Sequence, residues 1–445
     1  MNTPICDFVN LYKKSNPLRF HMPGHKGVVF TGIEDNDITE INGADSLYEA
    51  DGIIKESEEI ASKLFGCKTF YSAEGSSLCI KAMLYLAVLY SKKINKKPVI
   101  WAARNIHKSF LHAAALLDFE TEWLYSDEEN AYLSCIINAE TLEKKFRACN
   151  ELPVAVYLTS PDYLGTISDI KSISKVCRKN GVLLIVDNAH GAYLRFLSPS
   201  LHPIDLGADM CCDSAHKTLP VLTGGAYLHI SEEASEIFSF KAKNALSLFG
   251  STSPSYLILQ SLDYANKYLH EGYSEKLSEI ITELNTIKIL LKDHGFELYG
   301  NEPLKLTIRA SSFGYSGYEI ADYLSKRNIV CEFSDPDFIV FMFTPENNSD
   351  ELTALKDSLI SLKRKPDISE KSPEFGILQK SVSIRDAFFS DNEIIPVSES
   401  AGRILASPCV SCPPAVPIAV CGEIIDEKTV KSFLYYGTEE CTVIK

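Results

Sequence analysis

The stretch that decides the fold is "VLLIVDNAH", Val182–His190, read together with "CCDSAHKTLPVLTGGAYLHI", Cys211–Ile230. Val182–Val186 is an unbroken apolar run with no polar residue in alternation. That pattern marks a strand covered on both faces, the condition of a parallel sheet packed between helices. The run stops on Asp187, Asn188 and His190, and the second run stops on Asp213, Ser214, His216 and Lys217. In covered parallel sheets, ligands sit just beyond the carboxyl ends of the strands. Both clusters fall there.

Working outward, strand-like and helix-like segments alternate from about residue 45 to residue 230. "KTFYS", "KPVIWAAR" and "PVAVYLTS" read as further strands. "GIIKESEEIASKLFG" reads as an amphipathic helix stopped by Gly66, and "SDIKSISKVCRKNG" as one capped by Ser168 and closed by Gly181. Residues 245–270 read as a helix leading onward. The fold class is therefore α/β with a mostly parallel sheet. We read residues 1–45 as an irregular N-terminal arm and 46–270 as the large domain. Residues 271–365 read as a smaller α/β domain, and 366–445 as a small C-terminal domain behind a polar, Pro-containing linker.

A net charge of −15 disfavours general affinity for nucleic acid or an anionic membrane surface. The most apolar helical run, "LCIKAMLYLAVLY" (Leu78–Tyr90), is interrupted by Lys81 and too short to span a bilayer. The start of the chain has no secretory leader pattern, and 13 cysteines are scattered through apolar runs, as in a reducing, cytoplasmic compartment. Cys409 and Cys412 form a C-x-x-C, but no second ligand pair accompanies them, so no metal site is expected.

Four groups carry candidate chemistry. Lys217 at a buried strand end is costly unless paired or functional, and a lysine held partly neutral forms Schiff bases. Asp187 at a strand end suits a metal, a base or a protonated ring nitrogen, with His190 close behind. "EGSS" (Glu74–Ser77) puts Gly75, Ser76 and Ser77 where a helix begins, an arrangement that binds phosphate. His107, at a strand-to-helix junction, can stack on an aromatic ligand. Each alone has an ordinary reading: an exposed lysine, a salt bridge, a serine cap, a surface histidine. Taken together they form a site for pyridoxal 5′-phosphate, whose binding uses a lysine and a partner for the pyridine nitrogen.

The chain resembles the Orn/Lys/Arg decarboxylases, fold-type I pyridoxal-phosphate enzymes. The resemblance rests on "HMPGHKG", "DSLYEADGIIKESEEIAS", "NIHKSFLHA", "DNAHGAYLRF", "DSAHKTLPVLTGGAYLH", "STSPSYLILQSLD" and a tail containing "SESAGRILAS" and "PPAVPIAVCGEII". It implies that Lys217 holds the cofactor covalently. Asp187 would bind the pyridine nitrogen, with His190 near the ring and His107 stacked on its face. Gly75, Ser76 and Ser77 would hold the phosphate, with Ser214 and His216 alongside. Catalysis would fall to Lys217, His216 and Asp187. Ser251 and Thr252 would reach the site of a neighbouring subunit in a homodimer. The chain departs from the family pattern at Asn188, where an acidic residue is usual, and in Cys412–Pro417, where "YPPGIP" is usual. It starts at the arm, like the short members without a wing domain.

The activity implied is decarboxylation of a basic amino acid, with arginine favoured over lysine and ornithine and the amine product entering polyamine formation. Asp45 and Glu423 are candidates for the far end of the substrate pocket. The same fold also supports aminotransferases and β-eliminating lyases. A non-catalytic binder would have no need for both Lys217 and Asp187.

Overall fold

The computed structural model describes residues 1–126, 132–366, 368, 372–410 and 413–445; Cys412 lies outside them. The chain divides into two compact units. The first comprises Met1–Pro98, Cys149–Leu158 and Ile170–Lys276, and the second Val99–Ala148, Thr159–Asp169 and Leu277–Lys445. The first seven strands are β1 (Lys68–Ser72), β2 (Val99–Ala103), β3 (Glu120–Leu124), β4 (Ala155–Thr159), β5 (Leu183–Asp187), β6 (Met210–Asp213) and β7 (Ala226–Ile230).

In the first unit neighbouring strands run in the order β1-β7-β6-β5-β4. β5 and β6 are parallel, as their unbroken apolar runs predict, and every residue of both is buried. β7 runs antiparallel to both β6 and β1, within the mostly parallel sheet that was expected. Its apolar run carries no direction, because a strand buried on both faces has the same composition either way. Helix Gly75–Lys93 packs on β7 and β6 and buries residues all round, among them Leu78, Cys79, Met83 and Leu86. Helix Ile53–Phe65 ends on Gly66 at φ +69°, the left-handed stop that its sequence predicts.

Three expectations need correction. The arm is not irregular throughout: Pro4–Lys14 is a helix, with Pro4 in its first turn and Ile5 and Val9 buried one turn apart. The segment 245–270 is not one helix. It contains the end of Glu232–Ser247 and the whole of Tyr256–His270, broken around "GSTSP". Pro254 bars a helix from running through this stretch, because it lacks an N–H and pushes Ser253 out of helical geometry, although the first helix already ends at Ser247. Helix Ile170–Lys179 starts two residues after Ser168, whose own N–H is held by Ser160 Oγ at 3.0 Å.

In the second unit β2 and β3 pair in parallel. The remaining strands are β8 (Glu297–Tyr299), β9 (Lys305–Arg309), β10 (Phe333–Ser334), β11 (Phe338–Met342), β12 (Asn392–Pro396) and β13 (Glu440–Ile444). An antiparallel sheet runs in the order β10-β11-β9-β8, and β12 pairs with β13. Val397, Leu405, Ile425, Phe433 and Val443 form a core beside that last pair.

Candidate functional site

The strand register of the first unit gathers polar residues at one edge. Ser72 of β1 lies opposite Ala226, Asp213 of β6 opposite Tyr227, and Asp187 of β5 opposite Cys212. The carboxyl ends of β1, β6 and β5 therefore lie along one edge of the sheet, with the start of β7 between those of β1 and β6. From them leave the loop to helix Gly75–Lys93, the turn Ala215–Thr218 and the loop Asn188–Gly191.

Asp187 is 2 % exposed. Burial pushes its carboxyl up, and the positive charge of Lys217 works against that. Its oxygens accept from Tyr157 Oη at 3.3 Å and from the Ala189 N–H at 3.1 Å. A buried carboxylate with so few donors is stabilised by a cation. The Lys217 amine lies 3.0 Å from His190 Nε2. An ammonium would donate to Nε2 and place the imidazole proton on Nδ1, whereas a neutral amine can also accept from an Nε2–H, so the pair can pass a proton between them.

His216 is half-buried and its Nδ1 lies 3.0 Å from the Gly225 carbonyl. The carbonyl can only accept, so the proton sits on Nδ1 and leaves Nε2 as a base. Burial pulls the His216 pKa down, the Gly225 carbonyl opposes this, and the Lys217 charge adds to the fall. Neutral imidazole is therefore the form at pH 7.

Gly75 opens its helix at φ +70°, and its N–H donates to the Gly224 carbonyl at 2.7 Å. A Cβ there would meet nothing within 4 Å, so open space adjoins the helix N-terminus. Ser76 Oγ accepts from Ser214 Oγ at 2.7 Å, and Ser77 follows in the same turn. N–H groups at a helix start, hydroxyls from two elements and room above them are features that suit an anion. The residues present suit pyridoxal phosphate at its phosphate, at its aldehyde, with which a lysine such as Lys217 condenses, and at its ring nitrogen.

Sequence reasoning missed the layer beneath. Asp213 is completely enclosed and accepts from His202 Nε2 and His229 Nε2, each at 3.1 Å, and from Asn188 Nδ2 at 2.6 Å. Burial pushes the Asp213 carboxyl up, but the two imidazoles outweigh it and hold it well below the usual carboxylate range. This explains Asn188: a second carboxylate 2.6 Å from Asp213 would repel it, whereas an amide donates. Gly191 is required as well, because a Cβ there would lie 2.1 Å from Asn188 Oδ1. Tyr157 was also missed. Its only sequence signal is a phenol inside a buried strand.

Thr252 is exposed in the break after helix Glu232–Ser247, and the adjacent Ser251 N–H donates to Glu74 Oε1 at 2.5 Å, next to Gly75. His107 belongs to the second unit, where its Nδ1 accepts from the Ser109 N–H at 3.2 Å and caps helix Lys108–Leu117. Glu423, also in the second unit, is 2 % exposed and pairs with Arg104 at 3.0 Å. Asp45 is a cap: it accepts backbone N–H groups from Ser46, Asp51, Gly52 and Ile54 at 2.9–3.1 Å, which leaves it no oxygen for a pocket. His202, Cys211 and Asp213 are close enough together to hold a metal ion, but His202 and Asp213 already satisfy one another there.

Comparison with known proteins follows from this geometry. Residues 3–297 match the family model "Orn/Lys/Arg decarboxylase, major domain". An arginine decarboxylase of Bacillus subtilis is 30 % identical over 463 residues, covering 96 % of this chain and 92 % of that protein. An arginine decarboxylase of Halalkalibacterium halodurans is also 30 % identical, covering 96 % and 92 %. Among solved structures, the Francisella novicida lysine decarboxylase LdcF superposes with a TM-score of 0.79 at 19 % identity. That match covers 100 % of this chain and 81 % of LdcF. It establishes the fold as the expected fold-type I α/β architecture.

Proposed function

The chain belongs to the Orn/Lys/Arg decarboxylase family, and from that premise we propose that it removes the carboxyl group of L-arginine as CO₂. The single observation that carries the reading is the convergence of Lys217, His190, Asp187 and the Gly75 helix start on one sheet edge. Arginine is favoured over lysine and ornithine by relatives named arginine decarboxylase that align over nearly the whole chain. The amine product would enter polyamine formation.

Lys217 would hold pyridoxal phosphate covalently, Gly75, Ser76, Ser77 and Ser214 its phosphate, Asp187 its ring nitrogen, and His107 the ring face. When bound, the cofactor supplies a conjugated ring that takes up the electron pair left as the Cα–carboxylate bond breaks. Asp187 favours a protonated ring nitrogen, because its buried anion is stabilised by a cation beside it. Tyr157 and the Ala189 N–H orient that carboxylate. His190 Nε2, 3.0 Å from Lys217 Nζ, fixes where the amine points. Lys217 Nζ can bring the proton that replaces the carboxylate at Cα, and His216 Nε2, a base in the neutral ring, can do so only after it has first taken up a proton.

The functional unit is a homodimer in this reading, with Thr252 reaching the neighbouring subunit's site. The arm supports this, since Leu18, Phe20, Met22 and Phe30 are all more than half exposed, an apolar set suited to burial against a second copy. Residues 366–445, which carry Glu423, would shape the substrate end. A cytoplasmic setting is supported by described cysteines that carry no disulfide. Among the described residues no helix is long and apolar enough to cross a membrane.

Borohydride reduction of the purified holoenzyme, followed by peptide mass spectrometry, tests the cofactor assignment. The pyridoxyl mass is expected on the peptide containing Lys217. Its appearance on another lysine overturns the assignment.

A further inference from the structure

The second unit contains a cavity of about 420 Å³ lined by Tyr132, Tyr318, Phe333, Asp335, Pro413 and Tyr436, with Glu332 on its wall. Asp335 is 3 % exposed. Its Oδ1 accepts the N–H groups of Asp337 and Phe338 at 2.8 and 2.6 Å. Its Oδ2 is enclosed and has no hydrogen-bond partner among the described residues. Burial, aided by neighbouring Asp337, pushes Asp335 up to about 7. Asp337 is itself buried and accepts from the phenols of Tyr435 at 2.9 Å and Tyr436 at 2.8 Å. Glu332 accepts from Tyr163 Oη at 3.0 Å. The Tyr132 and Tyr436 rings meet at 4.5 Å and 55°. No lysine or arginine is among the lining residues.

An enclosed carboxylate oxygen without a donor costs free energy until a cation or donor reaches it. A hard metal ion would require six or more oxygens, and among the described residues Asp335 Oδ2 is the only enclosed side-chain oxygen of this lining without a partner. Aromatic faces around a buried anion instead complement an organic cation, attracted by the ring quadrupoles and paired with the carboxylate. We propose that this cavity is a binding site for an alkylammonium or guanidinium ligand, with Asp335 as its counter-ion and Tyr132, Tyr318 and Tyr436 as its aromatic wall. The site is built wholly from the second unit and uses none of Lys217, Asp187 or Gly75. It therefore stands apart from the decarboxylation reading and survives that reading's failure.

The test is isothermal titration calorimetry on the holoenzyme with 1,4-diaminobutane and, separately, n-butylguanidine, at fixed ionic strength in sodium chloride. The tighter probe identifies the cation class. Asp335→Asn keeps the Oδ1 contacts and removes the charge. It is expected to weaken the tighter probe at least about tenfold while the KM for arginine stays within about twofold. Tyr318→Leu alters a half-exposed wall residue, which keeps the test valid if the first variant does not fold, and is expected to weaken binding about fivefold. Unchanged affinity and stoichiometry in both variants, or no saturable binding of either probe to the wild type, would overturn the proposal.

Discussion

Lys217 Nζ and His190 Nε2 stand 3.0 Å apart at an edge where β5 ends on the buried Asp187. Amine, imidazole and carboxylate thus come from two strand ends brought together by register, not from neighbours in sequence. Lys217→Ala removes the nucleophile and leaves the strand ends intact. Turnover is expected to fall at least about a thousandfold, with loss of the cofactor's visible absorption, read by CO₂ release and a spectrum of the purified variant.

Asp187→Asn keeps the shape and removes the charge. The kcat is expected to drop about a hundredfold, because a neutral amide no longer favours a protonated ring nitrogen. Tyr157→Phe removes one hydrogen bond to that carboxylate, worth about 1–3 kcal/mol, and should give a smaller loss in the same direction. Steady-state kinetics of the pair check this. A larger loss in Tyr157→Phe than in Asp187→Asn would reverse the assigned order.

The two glycines at the site make opposite demands. Gly75→Ala meets open space but must hold φ +70°, a strain of about 1–2 kcal/mol at the proposed phosphate site. It should weaken cofactor retention, measured by dialysis and absorbance, with a small change in Tm. Gly191→Ala is at an ordinary φ but drives a Cβ to 2.1 Å from Asn188 Oδ1. It should lower stability by about 1–3 kcal/mol in urea unfolding.

Asp162 is fully buried in the second unit and accepts from Ser134 Oγ at 2.5 Å and the Thr166 N–H at 2.8 Å. Burial raises it from an ordinary 3.8 to about 6, and those bonds only partly offset the rise. Between these values the folded state binds the proton that the unfolded chain has released. This group's contribution to stability is therefore present below 3.8 and is lost as pH rises to about 6. Asp162→Asn should flatten the slope of unfolding free energy across that window. An unchanged slope in the variant would contradict the argument.

Much of the candidate site was legible in the sequence because Asp187 ends one run, and Lys217 closely follows another, whose apolar composition marks a buried strand. Polar groups there are conspicuous. Tyr157 was not legible, since nothing in a fully buried strand says which face meets β5's carboxylate. Asp213 was quoted as part of a motif, yet its partners lie 11 and 16 residues away in the chain: His202 comes from the loop before β6, and His229 is brought by the β6–β7 pairing. The direction of β7 was hidden for the same reason as the face of Tyr157. The helix break at residue 254 was signalled by Pro254 and overridden by the flanking helical pattern. The helix Pro4–Lys14 was hidden because two buried apolar residues one turn apart, Ile5 and Val9, are a weak periodic signal.

The most direct measurement is CO₂ released from carboxyl-labelled L-arginine, L-lysine and L-ornithine by the pyridoxal-phosphate-loaded enzyme and by Lys217→Ala. The account predicts kcat/KM at least about tenfold higher for arginine than for the other two, and no release above background in the variant. Release from arginine that persists in Lys217→Ala, or a clear preference for lysine or ornithine, would contradict it.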